Sequence, residues 1–411
     1  MFRRTTVFTA VTALLTVPAA ITATASPPAT SRPPSSVILD WQRTSMLTIY
    51  GDPTAPPRTP IPVGVLFLGF VSLAMHDAVD TSLERTRSSE AAAAAAAAHD
   101  VLVEYFPTSA PALAAALDSS LAAVPDGSGE DTGVMLGQEA AARMIASRRG
   151  DGRDNTSIRY SKPLEPGFWQ PTPPTSEGGD MLAPWLGSVR PLVLEQLVTV
   201  DGPDALDSRA YARDYDEVRR LGSDDSTARS EFRTSTARFF NSNSAIMVGE
   251  ATVAMLDDDP MPMHRTARLF AVMHGAMADS IIKCWEVKRD VGFWRPFQAI
   301  AGAAADGNPQ TEPEAGWAPL IPNPPYSDYF SGHASLTAPA VETLRRMLGE
   351  DTALTLHSYA TGEDRSYDDL MPIERQAFGA RIWGGLHFRD AMDDGYALGH
   401  ETARRVRLAI D

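Results

Sequence analysis

Apolar residues along this chain recur at helical spacing far more often than they alternate. Residues 63–79 carry apolar side chains with small ones interleaved, and the alanine run at 91–98 continues into Val101, Leu102 and Val103. The same period predicts helices at 112–123, 133–147, 210–221, 234–240, 245–255, 266–285, 336–348 and 373–382. Alternating runs of β-branched residues, which would signal half-buried strands, are almost absent. The predicted fold class is all-α. Residues 151–184, rich in Pro, Gly, Ser and Thr, form an irregular connection between an N-terminal helical half (37–195) and a C-terminal one (196–411). A second irregular stretch, 306–330, is heavy in proline and holds Trp317, Tyr326 and Tyr329. Ordered loops of that length are usually functional. Residues 73–79 (LAMHDAV) faintly echo residues 275–281 (GAMADSI). Two related bundles explain the echo, and so does the small-residue packing of any tight helix pair.

The N-terminus changes the picture. Arg3 and Arg4, the short apolar stretch from Val7 to Ile21 and the small residues Ala23-Thr24-Ala25 read as a secretory signal over 1–25, followed by a flexible leader at 26–36. Sec and twin-arginine export both fit the arginine pair. No later segment reads as long and apolar enough to span a bilayer, so no membrane anchor is expected once the signal is removed. The net charge of −16 argues against nucleic acid as a partner, because no basic surface is there to release counterions. It does not exclude a small anion held in a local cationic pocket. Cys284 is the only cysteine, so stability must come from core burial, and its apolar helical setting reads as a buried, inert thiol.

Three segments carry candidate chemistry. Lys288 and Arg295 lie seven residues apart, two turns on a continuous helix, so both cations face one way. A solvated basic face is the bland alternative, but the flanking Trp285, Phe293 and Trp294 favour burial around an anion. Ser331-Gly332-His333 enters a helix beginning near Ala334, where free N–H groups and the positive dipole end suit an anion. There Ser331 caps, Gly332 admits close approach and His333 is placed to exchange a proton; alone, this is an ordinary cap with a chance histidine. Pro339 is expected to kink the helix that follows. Arg381 and His387 flank Gly384-Gly385, whose break lets one close a helix and the other precede the next, both facing one cavity.

Taken in order, Lys-x6-Arg-Pro, Ser-Gly-His and Arg-x5-His resemble the signature shared by vanadium-dependent haloperoxidases and type-2 phosphatidic acid phosphatases. The Trp285–Lys288 spacing, residues 275–285 and the segment 216–240 with Ser226-Thr227-Ala228-Arg229 are similar to the haloperoxidase branch. The resemblance implies two four-helix-bundle-like halves and a vanadate cofactor, with vanadium bonded axially by His387. Lys288, Arg295 and Arg381 would neutralise the vanadate oxygens, Ser331 and the Gly332 amide would hydrogen-bond to them, and His333 would act as acid–base. The implied substrates are hydrogen peroxide, a halide and a small organic acceptor, with hypohalous acid as product. Trp285 and Tyr326 resemble the walls of a halide pocket. Phe330 stands where the family has proline, and Ala391 where an aspartate commonly follows the axial histidine, with Asp390 before it. The acid that pairs with the last arginine in the family has no clear match, Asn243 being the candidate for its place.

Phosphate and vanadate are both tetrahedral oxyanions, so phosphate is an expected competitor. The same pocket also fits a secreted acid phosphatase, with His387 as nucleophile and His333 protonating the leaving group. A non-catalytic anion-binding protein is a third reading, and a homodimer is left open.

Overall fold

Small side chains let helices approach closely, and the alanine run shows it first. In the computed structural model, which describes residues 35–153, 155, 157–171 and 180–410, that run forms α3 (Glu90–Tyr105), its alanines at 92–98 wholly buried. Ser89 caps it by accepting from the Ala92 amide at 3.2 Å. Against it lies α5 (Ser128–Ser147), with Gly133 and Gly137 one turn apart on the facing side. A Cβ on Gly137 would stand 2.8 Å from Ala96 Cβ and 2.9 Å from Ala97 N, so the pair is set at backbone-to-backbone distance.

The N-terminal half is completed by α1 (Ser36–Tyr50), α2 (Ile61–Leu83) and α4 (Ala110–Leu121). The C-terminal half holds α6 (Arg209–Gly222), α7 (Glu231–Phe239), α8 (Ser244–Asp258), α9 (Met263–Asp290), α10 (Pro296–Gly302), α11 (Ala334–Met347), α12 (Met371–Trp383) and α13 (Arg389–Ala409). The all-α class is what the structure shows. The two echoing segments lie on α2 and α9, which pack directly on each other. A Cβ on Gly69 would sit 3.4 Å from both Ala278 Cβ and the His274 carbonyl. Across the same contact Gln42 donates to Ser72 at 2.9 Å, and Ser72 meets His274 Nδ1 at 2.8 Å. One hydrophobic core therefore runs from α1 and α2 through α9 to α11 and α12.

Three expectations are corrected. Residues 354–358 and 363–367 pair as an antiparallel hairpin, β1 and β2, with Leu354 opposite Tyr367 and Ser358 opposite Glu363. Leu354, Leu356 and Ser358 point inward in strict alternation, but five residues is too short a run to stand out in a helical sequence. By length and composition α2 is apolar enough to cross a bilayer; it is instead mostly buried against α3, α5 and α9, which explains its even hydrophobicity. The helix carrying Lys288 stops at Asp290 rather than running on to Arg295. The signal at 1–25 and nearly all of the leader at 26–36 lie outside the described residues. The stretch 306–330 is irregular, as expected, apart from short turns.

Candidate active site

Lys288 occupies the last turn of α9, and Gly292, at φ +67°, turns the chain out of the helix. Phe168 bridges to Phe293, and the Trp169 amide donates to the Gly292 carbonyl at 2.7 Å. Arg295 then precedes Pro296, which opens α10. A residue before proline is held in extended backbone, and Arg295 is, at φ −81° and ψ 158°. The two cations thus meet through a pinned turn and not through helical periodicity. Both are wholly buried.

The proline-rich loop supplies their acceptors. Lys288 Nζ donates to the Ser327 carbonyl at 2.8 Å and the Asp328 carbonyl at 2.7 Å. Arg295 Nε donates to the Tyr326 carbonyl, and Nη1 to the Leu386 carbonyl, both at 2.8 Å. The Tyr326 ring lies beneath both charges, 5.1 Å from Lys288 Nζ and 4.9 Å from the Arg295 guanidinium carbon. Trp285 packs on Tyr326 with centroids 4.9 Å apart, and its indole donates to the Leu182 carbonyl. A Cβ on Gly332 would press on the Trp285 ring at 3.3 Å.

Ser331 is buried, its amide donating to the Ala391 carbonyl at 2.9 Å and its hydroxyl accepting from the Ala334 amide at 3.3 Å. Helix α11 starts at Ala334 as expected, and it continues through Pro339. His333 stands at the cap position itself, half-buried. At the other end, Gly384 ends α12 and Gly385, at φ +73°, turns the chain against Gly222 at the close of α6. Arg381, in the last turn of α12, and His387, just ahead of α13, are both buried in the same place. Arg229 ties this corner together, donating to the Leu221, Ser223 and Trp383 carbonyls.

His387 Nε2 lies 3.1 Å from Arg295 Nη1. A guanidinium only donates, so Nε2 is the bare nitrogen and Nδ1 carries the proton. Nδ1 lies 2.6 Å from Asp328 Oδ1. Asp328, without exposed surface, is the residue that sequence reasoning missed. The carboxylate beside the histidine comes from the loop, five residues before His333, and not from the start of α13. Asp390 is engaged elsewhere, accepting from the Asp204 amide. Nor does Asn243 take up Arg381: it caps α8, accepting from the Ala245 amide at 3.0 Å, while Arg381 Nη1 reaches the Phe240 carbonyl at 3.5 Å. An acidic residue just ahead of Ser-Gly-His was the available signal.

Burial sets the protonation of this cluster. It pushes Lys288 down to about 7 and Arg381 down to about 9. It also pushes Asp328 up to about 7, against the pull of Arg295 and Lys288. His387 is held well below the usual histidine range by burial and then by Arg295; His333 is likewise, by burial and then by Arg381. Both imidazoles are neutral at pH 7. Arg295 Nη2 and Arg381 Nε are buried without a hydrogen-bond partner among the described residues. Buried charged donors left so cost at least about 1–3 kcal/mol each. A cluster of three cations with free donors is the electrostatic complement of an anion.

Residues 268–410 match the model of the VCPO second helical-bundle domain. The chain superposes on the structure of the first bacterial vanadium-dependent iodoperoxidase with TM-score 0.73 at 19% identity, covering 93% of this chain and 98% of that one. Its fold is that of the vanadium-dependent haloperoxidases. Two forms of a bacterial vanadium-dependent chloroperoxidase superpose on the same fold, each with TM-score 0.67 at 17% identity. The apo form covers 85% of this chain and 93% of its own, the holo form 92% and 96%. No curated relative matches. Within this haloperoxidase fold, Lys288, Arg295, Ser331, Gly332, His333, Arg381 and His387 all fall inside the matched region, as do Trp285 and Tyr326.

Proposed function

We propose that the chain is a vanadate-dependent haloperoxidase, which uses hydrogen peroxide to oxidise a halide to hypohalous acid. The observation that carries this reading is the pair of buried donors without a partner among the described residues, Arg295 Nη2 and Arg381 Nε, beside a neutral His387 whose Nε2 is unprotonated. A tetrahedral oxyanion supplies acceptors to both guanidinium groups and an acid centre to Nε2, so the residues fit vanadate. Lys288, Arg295, Arg381, Ser331 and the Gly332 amide would hold the oxygens, and His387 would bond to vanadium. When bound, the group supplies a Lewis-acid centre at which peroxide is activated without a change of metal oxidation state.

The chain's own residues supply the rest. Arg295 and Arg381 are fixed cations, a bound anion favours the ammonium form of Lys288, and all three stabilise negative charge without reorganising. Asp328 keeps the His387 proton on Nδ1 and the ring in place. His333, neutral and at the half-exposed edge, takes a proton from incoming peroxide and returns it as water leaves. Trp285 and Tyr326 wall the side next to Lys288, where a halide would lie against aromatic faces and one ammonium. The reading includes export through the signal at 1–25, and phosphate as a competitor for the same donors.

Two variants test it. His387→Ala should abolish tight vanadate binding with helical content unchanged. His333→Ala should still bind vanadate but turn over about 100- to 10,000-fold more slowly. Stoichiometric vanadium in folded His387→Ala protein would remove the axial assignment.

A further inference from the structure

The end of α9 remote from Lys288 carries a second group of cations. Arg265 and Arg268, in its first two turns, meet Arg346 from the last turn of α11 and Arg407 from the last turn of α13 around an open cleft of about 230 Å³. Met261, Met347 and Leu348 complete the wall, and no carboxylate lines it among the described residues. At 1.5 Å per residue, Arg268 stands about 30 Å along α9 from Lys288, so the cleft is separate from the cluster around His387. We infer that this cleft binds a dianionic tetrahedral headgroup, a phosphate either free or carried on a small apolar body. The inference does not depend on the haloperoxidase reading.

Ordinary helix capping does not account for these arginines. A helix N-terminus carries positive partial charge, so Arg265, in the first turn of α9, stands where a cation is unfavourable. Arg407 lies at a favourable end, but the carbonyls there are served by another residue. Arg268 Nε donates to the Ile410 carbonyl at 2.8 Å, and its Nη2 to the Arg407 carbonyl at 3.2 Å. Neither Arg265 nor Arg407 forms an ion pair among the described residues. Arg346 Nε donates to Glu342 at 2.6 Å, but Glu342 is shared with Arg345, so its charge offsets only part of Arg346. Positive charge in the cleft is therefore in excess, and like charges gathered in one concavity repel unless an anion lies between them.

The arrangement selects the class of anion. The guanidinium groups come from three helices, and each can grip two oxygens in its planar fork. A tetrahedral dianion turns three oxygens in three directions and brings two charges. A planar carboxylate offers two oxygens in one plane and a single charge, which leaves most of the excess in place. Met261, Met347 and Leu348, all half-buried, supply apolar surface beside the cations for whatever the headgroup carries. The net charge of −16 repels anions from the molecule as a whole, so a concave patch of four arginines is where one can be held.

Calorimetric titration of the full chain with phenylphosphonate, inorganic phosphate and benzoate tests the assignment. Arg265 is exposed, so Arg265→Glu leaves the core untouched, and Arg407→Met keeps an apolar stem where Arg407 is half-buried. Phosphate is expected at the His387 cluster too, so the difference between wild type and these variants is what reports on the cleft. Wild type should bind phenylphosphonate saturably and benzoate at least about tenfold more weakly. Each variant should weaken phenylphosphonate at least about tenfold, circular dichroism being unchanged. Tighter binding of phenylphosphonate than of phosphate in the cleft marks an organic phosphate as the occupant, and equal affinity marks free phosphate. Triiodide formation by vanadate-loaded protein should be the same in wild type and variants, and its absence from all of them counts against the peroxidase reading alone. No saturable phenylphosphonate binding by wild type, equal affinity in wild type and both folded variants, or benzoate binding as tight as phenylphosphonate would overturn the assignment.

Discussion

A carboxylate stripped of water stays charged only if nearby groups offset the lost hydration, and Asp328 shows the balance. It has no exposed surface, it stands at about 7, and it faces His387 Nδ1 at 2.6 Å. Its backbone carbonyl also holds Lys288. Asp328→Asn keeps that carbonyl but removes the charge that fixes the histidine proton. Outer-shell partners of this kind typically contribute about 10- to 100-fold in affinity, and vanadate affinity should fall by that much in calorimetric titration. Unchanged affinity would mean that packing alone orients the ring. The residues that converge on this cluster were legible in sequence because each residue type announces its chemistry: two histidines, three basic side chains and a serine-glycine pair. Asp328 was not, because an aspartate in a polar, proline-rich loop looks like turn chemistry until the fold buries it. Asn243 was a candidate partner for Arg381 by position alone, and its side-chain oxygen is taken by a helix cap.

Helices were found by period, and their partners were not. Nothing in residues 91–98 names α5 as the neighbour; the backbone clearance at Gly133 and Gly137 does. Two effects oppose each other in Gly137→Ala. Helix propensity favours alanine by about 1 kcal/mol. Against this, the new methyl would meet the Ala93 carbonyl and the Ala96 methyl, and overpacking of that sort costs about 1–3 kcal/mol. A net loss of stability is expected in urea unfolding, and a stabilised variant would show that α3 and α5 can part freely. The α2–α9 contact has its own signature. His274 is buried, and burial lowers it to about 3. A histidine depressed in the folded state binds fewer protons there than when unfolded, so stability is full above about pH 6.5 and declines as pH falls toward 3. Between pH 6.5 and 5 the loss from this group is at most about 2 kcal/mol. Urea unfolding at the two pH values in wild type and His274→Asn measures it: the variant should show the smaller difference. An equal difference would assign the acid sensitivity to other groups.

At the scale of the whole molecule, the site is assembled from segments far apart in sequence: the end of α9, the loop 306–330, the start of α11 and the α12–α13 turn. Order along the chain was readable from three motifs, but the turns that bring them together were not. Gly292 with Pro296 replaced the continuous helix expected between Lys288 and Arg295. Gly384 and Gly385 made the break that had been expected. The acidic surface implied by a charge of −16 encloses a cationic centre, so the charge of the whole and that of the site have opposite signs. This centre is proposed to hold vanadate and to oxidise halide. The most direct measurement is halide oxidation by hydrogen peroxide as vanadate is titrated into purified protein, followed as triiodide or as bromination of a dye. Activity should rise to saturation at one vanadate per chain and fall when phosphate displaces it. No oxidation of iodide or bromide from mildly acidic to neutral pH, with efficient hydrolysis of an aryl phosphate by the vanadate-free protein, would contradict the account.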